Sequence, residues 1–393
     1  MGTLIRASRV MADGLSPAAC AWVECRDGRI ARTGAGDPPR RPDLDLGDML
    51  LLPGLINAHC HLEYTHLRGM LSGRRGFADW IGQINALKRH SSLDDFRGAI
   101  RDGFAEAVAH GTTSLVNIEA YPEIVAGIAA PIRTWWAIEG IDIRAPFAFP
   151  PLPELPAVSP HAPYTASAAL YRRATRIAEA TGALFTTHVG ESGEEHEMFA
   201  RASGPLYDLL GRLGRDMSDC GHGGSLGLLL DEGLLPRGSL LVHMNYFCEG
   251  EPARCARDGH TVVHCPRSHA FFGHRAFAFD DIRAAGLPVL LATDSLASCR
   301  TLSLFDEMRE FASRHPHIPA DEILGMVTRA PAAALRMTGQ IGAITVGARA
   351  DLIAIPDDGD ADPAATALRH RGEVPFVMAA ERVIVSRRHK LQA

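Results

Sequence analysis

Lysine is nearly absent from this 393-residue chain: of its 40 basic residues only Lys88 and Lys390 are lysines, and arginine supplies the rest. Eight cysteines stand at positions 20, 25, 60, 220, 248, 255, 265 and 299, with no C-x-x-C pair among them. That spacing argues against a zinc ribbon or thiol redox motif, and a chain this long needs no disulfide framework. The cysteines read as small buried hydrophobes. No apolar stretch reaches the roughly eighteen residues of a membrane span. The opening stretch MGTLIRASRVMADG breaks its apolar run at Arg6, Arg9 and Asp13, unlike a signal peptide, so the expected location is cytoplasmic. A formal net charge of -6 and the lack of any Lys/Arg cluster predict neither nucleic acid nor a membrane surface as partner.

What is present is an ordinary globular composition, 46% hydrophobic and 22% charged. The length allows one large core with a smaller accessory domain. After residue 50, short apolar runs alternate with longer amphipathic ones. The runs at 51–58, 112–118, 132–138, 156–160, 183–188, 239–243, 261–265 and 288–294 suit strands buried on both faces of a parallel sheet. Helical patterns such as FRGAIRDGFAEAVAHG and ASAALYRRATRIAEATG lie between them, each closing on a glycine. Eight strands with helical crossovers predict an α/β chain folded as a (β/α)8 TIM barrel over 51–340.

Two connections depart from that pattern. Residues 139–155 are too rich in proline for a regular third helix. Residues 189–238 are far longer than one crossover requires, and suit a lid. Residues 1–50 and 341–393 carry short strand patterns with turn signals, predicting a small β-sandwich domain built from both termini.

The stretch LLPGLINAHCH ends the first barrel strand in His59 and His61. Residues i and i+2 of a strand share a face, so both imidazoles can reach one ion. The other strands end alike: His188 on the fifth, His243 on the sixth, His264 on the seventh and Asp294 on the eighth. Barrel active sites gather at the carboxyl ends of the strands. Imidazole and carboxylate together suit zinc or iron better than magnesium.

PGLINAHCH, PHAPYT, THVGES, HCPRSH, ATDS and GAITVGARADLIAI, in this order and at barrel spacing, resemble the amidohydrolase superfamily. Within it, the chain is most similar to the branch of cytosine, guanine, S-adenosylhomocysteine and aminodeoxyfutalosine deaminases and triazine hydrolases. The resemblance implies that His59, His61, His188 and Asp294 are the metal ligands. Other members bridge two metals with a carboxylated lysine on strand four, but no lysine lies between Lys88 and Lys390. One divalent ion is therefore expected, with zinc preferred over iron.

An open position on such an ion lowers the pKa of bound water to about 7, supplying a hydroxide at neutral pH. The resemblance casts Asp294 as the acceptor of the water proton and Glu191, three residues after His188, as the group that protonates a ring nitrogen. His243 is expected to stabilise the tetrahedral centre. Substrate contacts are expected from His161, Trp80, His269 and Arg68, with His274 a further candidate; His264 receives no role. His269 stands where many relatives carry asparagine.

The expected activity is hydrolytic deamination of a small-molecule, amino-substituted nitrogen heterocycle. The substrate class is purine- or nucleoside-like, aminodeoxyfutalosine included, with hydroxide attacking the amino-bearing carbon and ammonia leaving. The same site serves cyclic-amide opening or triazine-type dechlorination and dealkylamination, the alternative reading. A third reading is a non-catalytic barrel kept for binding. A homodimer is a family-level expectation.

Overall fold

The computed structural model describes residues 2–12, 21–151, 156–380 and 382–386. Its centre is a parallel sheet built from the predicted runs. In order these are Leu55–His61, Thr112–Glu119, Arg133–Gly140, Pro156–Pro160, Leu184–Val189, Leu240–His243, Thr261–His264 and a last strand in two pieces, Val289–Leu291 and Asp294–Ser295. The sheet follows chain order, and the two pieces pair with its opposite edges: Leu291 beside His264, Asp294 beside Cys60. A sheet curled this far is consistent with a TIM barrel, and its strands are buried on both faces.

The predicted first strand, 51–58, divides at Gly54. Met49–Pro53 pairs antiparallel with Leu352–Pro356 in a five-stranded sheet formed by both ends of the chain, and only Leu55–His61 joins the parallel sheet. Gly54 is required at the corner, because a Cβ there would sit 2.1 Å from Thr113 Oγ1. A second terminal sheet of four strands contains Thr3–Ala7, Ala21–Arg26, Arg29–Ala35 and Leu44–Asp45. Ile5, Val23 and Leu51 share a buried cluster with Leu352 and Met378, so residues of both ends pack in one small core.

The crossover helices carry local signals. Leu93–Ala109 starts at a capping box, Ser92 and Asp95 satisfying each other's backbone amides, and buries Phe96, Ile100, Phe104 and Ala107 at helical spacing. Ala168–Thr181 is capped by Ser167 and stops at left-handed Gly182. The described residues 141–151 contain no helix, as their prolines predict. The long fifth connection folds into three short helices, Gly193–Arg201, Pro205–Arg212 and Ser225–Asp231. Among the described residues, no helix is long and apolar enough to cross a membrane.

Candidate active site

The strand-end side chains converge. His59, His61 and Asp294 have ligand atoms within 4.8 Å of one another, and so do His59, His188 and His243. His243 (φ 76°) and Asp294 (φ 58°) occupy the left-handed region. That conformation is costly for residues other than glycine and is held by its surroundings where a side chain must be aimed. Gly190 (φ 59°) makes the turn between His188 and Glu191, and a Cβ there would meet the Tyr246 carbonyl at 2.1 Å.

The polar bonding of this cluster fits a cation. His188 Nδ1 donates to the His161 carbonyl at 2.9 Å, and His61 Nδ1 lies 3.3 Å from Glu63 Oε1. Burial lowers the pKa of both rings, so each is neutral and its Nε2 is a lone pair. Those two Nε2 atoms face each other at 3.3 Å. Two lone pairs at that separation have no proton to share and call for a positive ion between them. His59 adds an orphan: both its ring nitrogens are buried without a hydrogen-bond partner, with Nε2 3.6 Å from Asp294 Oδ1. Asp294 Oδ2 accepts from Ser268 Oγ at 2.6 Å and Ser298 Oγ at 3.0 Å. Burial raises the Asp294 pKa, but the imidazoles around it, His59 first, outweigh that, and the net shift is downward, leaving the carboxylate ionised.

Glu191 behaves in the opposite way. Burial first, then the charges of Asp294 and Glu195, push its carboxyl well above the usual range. Tyr164 OH donates to its Oε2 at 2.9 Å, and its Oε1 lies 3.5 Å from His243 Nε2. Burial holds His243 neutral, its pKa near 3. The backbone of the Glu191 turn is fastened by Glu195, which accepts from the Gly190 and Glu191 amides, and by Asn245 Nδ2, which donates to the Glu191 carbonyl. This places a protonated carboxyl beside an ionised one, an arrangement suited to acid–base chemistry at one carbon.

The cluster opens on a cavity of about 670 Å3. His61, His188, Glu191 and Asp294 line it, together with His161 and Trp80. Leu210 and Leu213, from the long fifth connection, also contribute to its wall. Two expected contacts lie elsewhere. Arg68 leaves the 3-10 turn after the first strand to pair with Glu106 and with the Arg300 carbonyl, outside the lining. His269 Nδ1 is held by Asn245 Oδ1 at 2.9 Å, behind the wall. His274 packs against His269 and Phe272 and is likewise absent from the lining, and His264 stacks on Phe277. Sequence reasoning passed over Tyr164, Asn245, Ser268 and Ser298, whose part is to bond other site residues; Tyr164 stands within PHAPYT, where position alone could have flagged it.

The model of the Amidohydrolase family matches residues 50–151 and 153–384. The chain belongs to the amidohydrolase family. That makes it a hydrolase of carbon–nitrogen bonds other than peptide bonds, of a family that uses a divalent metal. A 5-methylthioadenosine/S-adenosylhomocysteine deaminase of Nitratidesulfovibrio vulgaris is 30% identical over 369 residues, covering 85% of this chain and 78% of that protein. A 5'-deoxyadenosine deaminase of Methanoregula boonei is 30% identical over 345 residues, covering 79% and 72%. Among solved structures, Helicobacter pylori aminofutalosine deaminase in complex with methylthio-coformycin superposes with TM-score 0.82 at 22% identity, over 98% of this chain and 100% of that one. An adenosine deaminase of Xanthomonas campestris with bound zinc gives 0.78 at 22% identity, over 98% and 93%. At such identities, the structural likeness speaks for the fold.

Proposed function

We propose that this amidohydrolase is a metal-dependent deaminase of an amino-substituted nitrogen heterocycle of the purine-nucleoside class. The observation that carries the reading is a buried Glu191, its carboxyl pushed well above the usual range, on one cavity wall with His61, His188 and Asp294, behind which His59 completes the cluster. The named activities of the sequence relatives support the substrate class. The cavity, about 670 Å3, has room for a nucleoside.

His59, His61, His188 and Asp294 would hold one ion, zinc in preference to iron. When bound, the ion supplies an activated water at neutral pH. Tyr164 occupies Glu191 Oε2, which leaves the carboxyl proton on Oε1. Glu191 gives that proton to the ring nitrogen beside the amino-bearing carbon, making the carbon electrophilic. Asp294 takes a proton from the attacking water, and His243 steadies the tetrahedral centre by a hydrogen bond to the new oxygen. The proton on Asp294 then passes to the departing amine. The hydroxyl of the tetrahedral centre returns a proton to Glu191 as the carbonyl forms. Ammonia leaves, and both carboxyls are restored. Trp80 and His161, both on the lining, are assigned to the substrate.

The proposal includes a division into a barrel at 51–340 and a small β-sandwich built from 1–50 and 341–393. The shared apolar core of the two ends supports it. It extends to a cytoplasmic homodimer, which rests on family likeness.

The test is ammonia release from zinc-reconstituted protein across aminated purines, pyrimidines, pterins and adenine nucleosides, with aminodeoxyfutalosine included. Release from a nucleoside, abolished by Glu191→Gln, is the expected result. A metal-loaded protein that releases ammonia from none of them overturns the deaminase reading.

A further inference from the structure

One buried carboxylate on the cavity wall has no part in the mechanism above. Glu139 is the second-last residue of the strand Arg133–Gly140, and its side chain is 4% exposed. Its Oε1 has no hydrogen-bond partner among the described residues, and the nearest ring nitrogen, His161 Nε2, is 3.9 Å away. The other two carboxylates on the lining are engaged, Glu191 by Tyr164 and Asp294 by Ser268 and Ser298. Buried polar groups are nearly always bonded, and one that faces a cavity without a donor expects the donor from a ligand.

We infer that Glu139 accepts hydrogen bonds from the 2'- and 3'-hydroxyls of the substrate's ribose and sets a preference for ribonucleosides. The inference rests on the deaminase reading and deepens it. An adenosine-type molecule has hydrogen-bond donors only at its exocyclic amine and its sugar hydroxyls, since the ring nitrogens N1, N3 and N7 accept. The amine must face the histidine–aspartate cluster, so the hydroxyls alone remain for Glu139. A 5'-hydroxyl is absent from 5'-deoxyadenosine and 5-methylthioadenosine, the compounds named for the sequence relatives. The 2',3'-diol is what such substrates share, and two vicinal hydroxyls match the two oxygens of one carboxylate. Glu139 lies at the edge of the cluster, next to His161 and within 4.8 Å of a His188 ring nitrogen, on the cavity wall.

A cation is the rival occupant, because ligand atoms of Glu139, His161 and His188 come within 4.8 Å of one another. The experiment measures kcat/KM and bound zinc for the zinc-loaded wild type, Glu139→Gln and Glu139→Ala. The substrates are adenosine and 5'-methylthioadenosine, each against its 2'- and 3'-deoxy counterparts. Wild type should prefer the ribonucleoside by about 10- to 100-fold, as for a hydrogen bond to a charged group. Glu139→Ala should bring that ratio close to one with zinc content retained, lowering kcat/KM more for the ribonucleoside than for either deoxy compound, which keeps one hydroxyl. Glu139→Gln, of the same shape, should give an intermediate ratio and covers the case in which the alanine variant fails to fold. An unchanged ratio in both variants overturns the inference while the deaminase reading stands. Loss of a zinc equivalent on either substitution also overturns it and makes Glu139 a ligand. A wild type inert toward every nucleoside removes the reading itself, and the inference with it.

Discussion

The arginine-paired carboxyls of the terminal sheets and the buried glutamates around the barrel's site are shifted in opposite directions. Among the terminal strands, Glu24 is lowered by its bond to Arg32 and Asp43 by its bond to Arg40. Asp358 falls to about 2 under bonds from Thr366 and Arg369. Arg9 holds Asp357 low in spite of burial, through Nε at 2.7 Å and a second guanidinium contact. In the barrel, burial drives Glu63, Glu119 and Glu191 upward, and none of the three has an arginine partner among the described residues. A carboxyl serves as a clasp where a guanidinium meets it, and these three buried glutamates, which none meets, favour the protonated form. Arginine is abundant in this chain, yet the site excludes it from its acids.

Breaking the site side of this contrast gives the largest effects. Asp294→Ala should abolish turnover and lower bound zinc, measured by metal analysis and ammonia release; full activity would remove Asp294 from the ligand set. Glu191→Gln should retain zinc and lose about 10²- to 10⁴-fold in kcat, the range for a general acid. Near-normal turnover would show that the proton comes from elsewhere. Tyr164→Phe removes one hydrogen bond to Glu191 and should cost about 10-fold in kcat/KM with the metal retained.

Breaking the terminal side should leave chemistry alone. Asp357→Asn is expected to destabilise by about 1–3 kcal/mol at pH 7, seen as a lower denaturation midpoint, with kcat unchanged. Asp357 and Asp358 are lowered on folding, so their contribution is present above the unfolded carboxyl pKa, about 3.9, and is lost as pH falls toward 2. The deficit of the variant should shrink over that interval. The smallest effect is expected of Glu119→Gln. Glu119 is raised on folding, so its contribution is complete below the unfolded pKa and is lost as pH rises. Substitution by a neutral amide should change stability by less than about 1 kcal/mol at pH 5 and raise it at pH 8. A loss at both pH values would place Glu119 among the paired acids.

Several features were legible because their signals are local. Apolar runs of strand length ending in histidine or aspartate mark where side chains meet once strands align. Arg68 shows the limit: a cation close to His59-x-His61 invites a binding role, but its partner Glu106 lies on the helix Leu93–Ala109, which only packing brings alongside. His269 was drawn to Asn245 in the same way. Glu139 went unread because the predicted strand stops at 138 and leaves it in the proline-rich connection 139–155, whereas the strand runs to Gly140 and makes it a strand-end acid like Asp294. The split at Gly54 lay hidden because one apolar run serves two sheets, and hydropathy does not record which neighbour a strand will pair with.

By itself, the amino-acid sequence determined the alternation of strands and helices, the histidines and aspartate at the strand ends, and the absence of a lysine to bridge two metals. These depend on periodicity and residue type, which act over a few positions. Tertiary structure alone decided the opposed protonation of Glu191 and Asp294 and the facing lone pairs of His61 and His188. It also decided which residues line the cavity. Each of those depends on burial and on partners distant in sequence, quantities that exist only once the sheet has curled.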